Sequence, residues 1–203
     1  SLSCQDADTC PSIDDLTIKW AEGITVSGTA QEYNQATNVT SGTVAVAVNG
    51  SLQTGKTGTI SAGNWTIDNV TVLAGDIVTV FVSGAADANE AVGIAKYDGT
   101  ADISGINLYE RHLTIGSDDD QTITNVDIAQ YDYSVSSNED IFYDVDAGND
   151  LDTCVVAGCG DEEIYIKADN IYRPDSLSSG DVSTHDIEIN GTLTADSNTI
   201  RAG

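Results

Sequence analysis

Six oxygen-bearing side chains crowd one short stretch of this chain: Asp140, Asp144, Asp146, Asn149, Asp150 and Asp152. Calcium takes about six to eight oxygen ligands, and loop carboxylates together with Asn and backbone carbonyls are donors of that kind. The run Asp144-Val145-Asp146-Ala147-Gly148-Asn149-Asp150 sets several of them in a glycine-containing loop. It departs from the EF-hand pattern, whose glycine and closing glutamate stand elsewhere. The stretch is therefore a candidate calcium loop, with a solvated acidic loop as the competing reading. Ser117-Asp118-Asp119-Asp120 is a second acidic run, and Asp161-Glu162-Glu163 reads as plain surface.

The cysteines fall in two close pairs, Cys4 with Cys10 and Cys154 with Cys159. Two local disulfides in an oxidising compartment are the favoured reading, although four cysteines permit three connectivities. A four-thiolate zinc site is the rival. Its usual two-residue spacer is replaced here by Gln5–Thr9 and Val155–Gly158. His112 and His185, the only histidines, each fall at a polar position of an alternating strand, with no Ser or Cys in a nucleophile motif nearby. A pair of carboxylates for glycoside hydrolysis needs a cleft that sequence alone does not show. Aromatic residues make up 6%, too few to suggest a sugar-stacking platform, and Trp20 and Trp65 read as core. The expectation is a protein that is not an enzyme.

Charge narrows the partners. The 203 residues carry only 7 Lys+Arg against 33 Asp+Glu, a formal net charge of −26. Nucleic acid requires a clustered basic face, so that class is excluded, and an anionic membrane surface is repelled in the same way. Copies of the chain also repel one another unless cations or close strand pairing offset the charge. No apolar stretch is long enough to span a bilayer. The chain starts Ser1-Leu2-Ser3-Cys4, with neither a basic start nor an apolar run. This suggests a secreted, extracellular or cell-surface product whose signal has been removed.

The elements that would hold these residues are strands. Val, Ile, Leu and Ala alternate with Thr, Ser, Gly, Asn and Asp, a strand-and-turn vocabulary. Ile24–Thr29, Thr43–Val48, Gly58–Ile60, Asn64–Ile67, Ile77–Val82, Gly93–Tyr97 and Ile103–Tyr109 form a regular set, with Asn49-Gly50 as a hairpin signal. Short strands with frequent turns point to a sandwich. Further strands are expected at His112–Ile115, Ile123–Val126, Ile141–Tyr143, Glu163–Ile166 and Val182–Ile189, and a second Asn-Gly turn at Asn190-Gly191. Ile123–Tyr131 carries the one hint of helix. The fold class is all-β, with little or no helix. Residues 1–22 read as a disulfide-pinned segment with a possible donor strand, 23–110 as an Ig-like sandwich, and 111–203 as a second, smaller β-rich domain ending in a strand.

A resemblance follows from Val44-Ala45-Val46-Ala47-Val48-Asn49-Gly50, Gly63-Asn64-Trp65-Thr66-Ile67, Leu73-Ala74-Gly75-Asp76 and Val78-Thr79-Val80-Phe81-Val82. Together they resemble a CnaB-type or carboxypeptidase-regulatory-like sandwich of large bacterial surface and adhesin-like proteins. Ile187-Glu188-Ile189-Asn190-Gly191-Thr192-Leu193-Thr194 is similar to phrases in the β-rich regions of those proteins. The resemblance implies a structural or adhesive role outside the cell. Its Lys–Asn isopeptide bond is not carried over, because Lys19 has no recognisable acid–Asn arrangement.

The functional expectation is an extracellular structural subunit of a filament, sheath or adhesive appendage, joined to copies of itself by β-strand pairing. Leu16, Ile18 and Trp20 at one end, and Ile187, Ile189 and Leu193 at the other, are the candidate assembly residues. The alternative is a calcium-dependent surface module binding carbohydrate or a protein through its loops.

Overall fold

A computed structural model describes residues 22–155, 160–174, 180–195 and 199–202. The fold is all-β. Its first part runs β1 (Glu22–Gln31), β2 (Ser41–Val48), β3 (Ser51–Ser61), β4 (Asn64–Val72), β5 (Ile77–Val82), β6 (Val92–Lys96) and β7 (Ile103–Tyr109). The Asn49-Gly50 turn joins β2 to β3 with both residues at positive φ, 44° and 77°, the twist a tight hairpin demands. β3 pairs with β4 only at Ser61 and Asn64, where the sheet turns from one layer into the other. β4, β1 and β7 form one layer and β3, β2, β5 and β6 the other, a sandwich-like arrangement. Val26, Val46, Trp65, Ile67, Val70, Val80 and Ile106 fill the space between them. The Trp65 indole N–H donates to the carbonyl of Thr29 at 3.1 Å, which satisfies its one polar atom in that core.

The second part begins with β8 (His112–Ile115), which pairs in parallel with β6. The expected segments 23–110 and 111–203 therefore share one ten-stranded sheet. Then come β9 (Thr122–Ile123), α1 (Asn125–Ile128), α2 (Tyr133–Ser136), β10 (Asp144–Val145) and β11 (Leu151–Asp152). They are followed by β12 (Glu163–Ile166), β13 (Ile171–Tyr172), β14 (Val182–Thr184), β15 (Asp186–Ile189), β16 (Thr192–Leu193) and β17 (Ile200–Ala202). β8, β12 and β15 form one parallel ladder; β9, β13 and β16 a second; β11, β14 and β17 a third. Strands returning to the same face in the same direction describe three stacked coils of a parallel β-solenoid.

Both faces of the shared layer are covered, and the residues alternate accordingly. In β5, Val78 and Val80 enter the sandwich core, while Ile77 and Phe81 enter the solenoid core. In β2, Val44, Val46 and Val48 face one way and Ala45 and Ala47 the other. Burial on both faces explains why Ile77–Val82 reads as a nearly continuous apolar run.

Between β9 and β11 the chain makes a plug over the first coil. Thr124 and Asp127 form a reciprocal capping box that starts α1, and Lys96 Nζ ties Asp127 to β6 at 3.1 Å. Asp132 caps α2 by accepting from the Val135 N–H at 2.8 Å. Tyr131 stacks on Phe81 with ring centroids 5.8 Å apart. The helix hinted at in Ile123–Tyr131 is present, and it cuts the strand expected at Ile123–Val126 to its first residue and Thr122. Ile141–Tyr143, expected as a strand, is buried without being one. Its Tyr143 hydroxyl donates to the carbonyl of Tyr131 at 2.9 Å.

Candidate assembly site

The third coil is the last of the described residues. β15, β16 and β17 are each the last strand of their sheet, on the same side. In the ladder register Ile187 lies over Ile164, Ile189 over Ile166, Leu193 over Tyr172 and Ile200 over Val182. The four lower residues are fully buried, at 0% exposure, because a coil covers them. Their partners above have no such cover: Ile189 is 47% exposed, and Ile187, Leu193 and Ile200 are only partly buried against the same core. An unpaired strand row with apolar side chains at the end of a core is a ready template for another strand, and stacked-repeat proteins need a polar cap over such an end. Among the described residues nothing caps it.

Of the candidate assembly residues, the structure brings Ile187, Ile189 and Leu193 together on this end. Leu16, Ile18 and Trp20 lie outside the described residues. Sequence reasoning passed over Ile200 and Arg201. The recurrence of inward apolar residues at 164, 172 and 182 and again at 187, 193 and 200 is the signal that finds them. Arg201 points away from the core and pairs with Asp181 at 3.3 Å.

The acidic stretch divides. Asp144, Asp146, Asp150 and Asp152 line a cleft of about 270 Å³ with Asp181 and Arg201. Asp140 lies apart, its carboxylate accepting from the Gly84 and Ala85 N–H groups. Within the cleft, Asp146 accepts from the N–H groups of Gly148 and Asp150, and Asp150 accepts from that of Asp181. Asp144 accepts from Ser134 N–H and Asp152 from Cys154 N–H. Asn149 takes a positive φ of 64° in the turn. As they stand, these carboxylates hold backbone turns. Among the described residues no three or more of His, Cys, Asp and Glu are arranged to hold a metal ion. In the second run, burial is the main influence raising the Asp119 carboxyl above its ordinary value, with Asp98, Asp118 and Asp120 adding to it.

Cys154 is disulfide-bonded. Cys159, Cys4 and Cys10 lie outside the described residues. His112 corrects its expected polar position: it is buried at the seam between sandwich and solenoid. Its Nδ1–H donates to the carbonyl of Glu110 at 2.7 Å, and Nε2 lies 3.2 Å from Glu163. Tyr33 donates to the same Glu163, and that hydrogen bond, followed by burial, pushes the phenol up to about 12. Gln35 donates to Glu188 at 2.7 Å, so the loop after β1 clasps the outer face of β12 and β15. His185 is exposed between β14 and β15.

No helix among the described residues is long and apolar enough to cross a membrane. Compared with known protein families, curated proteins and solved structures, the chain finds no match. Any functional reading therefore rests on geometry and on the sequence phrases above.

Proposed function

We propose that this chain is an extracellular structural protein that joins copies of itself by strand pairing, as a subunit of a surface filament, sheath or adhesive appendage, and that it performs no catalysis. The observation that carries the reading is the third coil, where, among the described residues, three strand edges and the apolar end of a core coincide. The CnaB-type resemblance of the sandwich phrases and the cysteine pairs fit a protein that works outside the cell. Negative-stain microscopy of the purified chain tests it. Ordered polymers are expected, and their loss on deleting residues 1–22 identifies the first segment as the donated strand. Dispersed single particles under all salt conditions refute the reading.

A calcium-dependent module binding surface carbohydrate or protein is the second reading, favoured by the four carboxylates that share one cleft with Asp181. Calcium would draw them from their backbone partners. Calorimetric titration with calcium decides: heat that disappears in Asp146→Asn supports this reading, and no heat removes it.

A further inference from the structure

We propose that Asn69, on the outer face of β4, is an acceptor for an N-linked oligosaccharide. The site rests on the extracellular reading above, because such transfer takes place on chains that pass out of the cell.

Five times the chain carries Asn-x-Thr or Asn-x-Ser with a residue other than proline between, at Asn38, Asn49, Asn64, Asn69 and Asn190. In the fold all five asparagines are exposed, and so are Thr40, Ser51, Thr66, Thr71 and Thr192. Of the seven other described asparagines only Asn34 and Asn89 are exposed, and Asn125 and Asn170 are buried. A motif scattered by chance through a threonine-rich chain would share the burial of the other asparagines; this one keeps to the surface. Charge singles out the same region. The 35 residues from Tyr33 to Ile67 hold no Asp or Glu, in a chain that has 33 of them. Three of the motifs lie inside that stretch, and Asn69 follows just past its end. A glycan is bulky and solubilising, so it hydrates a surface that carboxylates leave bare.

Contacts choose among the five. Asn38 and Asn64 both donate to the carbonyl of Ala62, at 3.1 and 3.2 Å. Asn49 donates to Asp76 and accepts from the Ile77 N–H, which ties the β2–β3 turn to β5, and Asn190 donates to Glu188. Asn69 has no side-chain hydrogen bond among the described residues, so a sugar on it breaks none. Its backbone takes a φ of 56°, the left-handed region that asparagine tolerates well, at a break in the β1–β4 register. Val70 is buried at 0% exposure, while Asn69 and Thr71 flank it on the outer side. Gly23 of β1 stands beside them with no side chain to crowd a sugar; a Cβ there would lie 3.5 Å from the Asn69 Cα. The strands β4, β1 and β7 give no residue to the solenoid core, so the outer face of their layer meets solvent.

The co-substrate is an oligosaccharide carried on a lipid pyrophosphate, brought by a transferring enzyme. The Asn69 amide nitrogen attacks the anomeric carbon, and a C–N bond forms as the C–O bond to the pyrophosphate breaks. The lipid pyrophosphate leaves with the bonding pair, and one amide proton passes to a base of the enzyme. Nothing is oxidised or reduced, and the nitrogen keeps one N–H.

Secretion of the full chain, behind a signal sequence, from a host that performs N-linked transfer tests the proposal. Wild type, Thr71→Ala and Thr71→Ser are digested with peptide N-glycosidase in heavy-oxygen water and mapped by mass spectrometry. These variants leave Asn69 and its left-handed backbone in place, and circular dichroism checks that each keeps its strands. Wild type and Thr71→Ser are expected to yield a heavy-oxygen aspartate at position 69, and Thr71→Ala to lose it. A secreted wild type with Asn69 unmodified overturns the site and leaves the self-assembly reading standing. Label at position 69 that survives Thr71→Ala is spontaneous deamidation and also overturns it. A glycosylated chain that stays as single particles under the microscope supports the site and overturns the self-assembly reading.

Discussion

Replacing Phe81 by alanine tests whether sandwich and solenoid are one cooperative body. Phe81 belongs to β5, a sandwich strand, yet its ring is buried in the solenoid core at 1% exposure and stacks on Tyr131 at an interplanar angle of 21°. Removing a buried phenyl group costs about 3–5 kcal/mol through lost transfer energy and the cavity left behind. The lost aromatic pair places the value toward the upper end, about 4–5 kcal/mol. Domains of this kind are stable by only about 5–15 kcal/mol, so much of the margin disappears. At roughly 2–4 °C per kcal/mol for a chain this long, the melting temperature falls by about 10–15 °C. Urea unfolding followed by tryptophan fluorescence and by far-ultraviolet circular dichroism provides the assay, with Trp65 reporting from the sandwich core. Both probes are expected to shift together in a single transition. A loss below about 1 kcal/mol, or two transitions of which only one moves, refutes the shared-sheet account.

Other expectations follow from single contacts. A Cβ on Gly28 would sit 1.8 Å from the carbonyl oxygen of Ile106 and 2.8 Å from the Trp65 ring, so Gly28→Ala must prise β1 from β7; denaturant titration should show a loss of about 3 kcal/mol. Burial holds the Asp132 carboxyl above its ordinary value, against hydrogen bonds from Val135, Val145 and Ser134 that lower it. A raised folded value means that its contribution is fully present below the unfolded value and is lost as pH rises through the folded one. Wild type should therefore lose stability relative to Asp132→Asn as pH rises just above the ordinary carboxylate range, and a pH-independent difference would contradict this. Peptide mapping without reduction should recover Cys154 linked to Cys159, the pairing the sequence spacing favours.

The sandwich was legible because its strands alternate over long spans and turn with standard chemistry. Ile24–Thr29, Thr43–Val48 and Ile77–Val82 lie where the alternation sets them. The solenoid was not, because its strands are two to four residues long and the steps between equivalent strands are unequal, Glu163 to Asp186 but Val182 to Ile200. A run that short carries almost no periodicity. Val182–Ile189 reads as one strand, yet it breaks at His185 and its halves join different sheets. Asn190-Gly191 has the same hairpin dipeptide as Asn49-Gly50, but both its N–H groups donate to the carbonyl of Ile166, and it forms a corner between β15 and β16, which lie in different sheets. The candidate site was half visible: Ile187, Ile189 and Leu193 stood out as strand residues, while Ile200 and the exposed end they share needed the coil stacking.

Light scattering of the purified chain across a salt titration tests the central claim, self-association, most directly. At about 0.01 M salt the −26 charges of neighbouring copies act over roughly 30 Å, and near 0.1 M over roughly 10 Å. The account predicts that mass rises above the 21.2 kDa of a single chain as salt screens this repulsion. A mass that stays at one chain at every salt and protein concentration would contradict it.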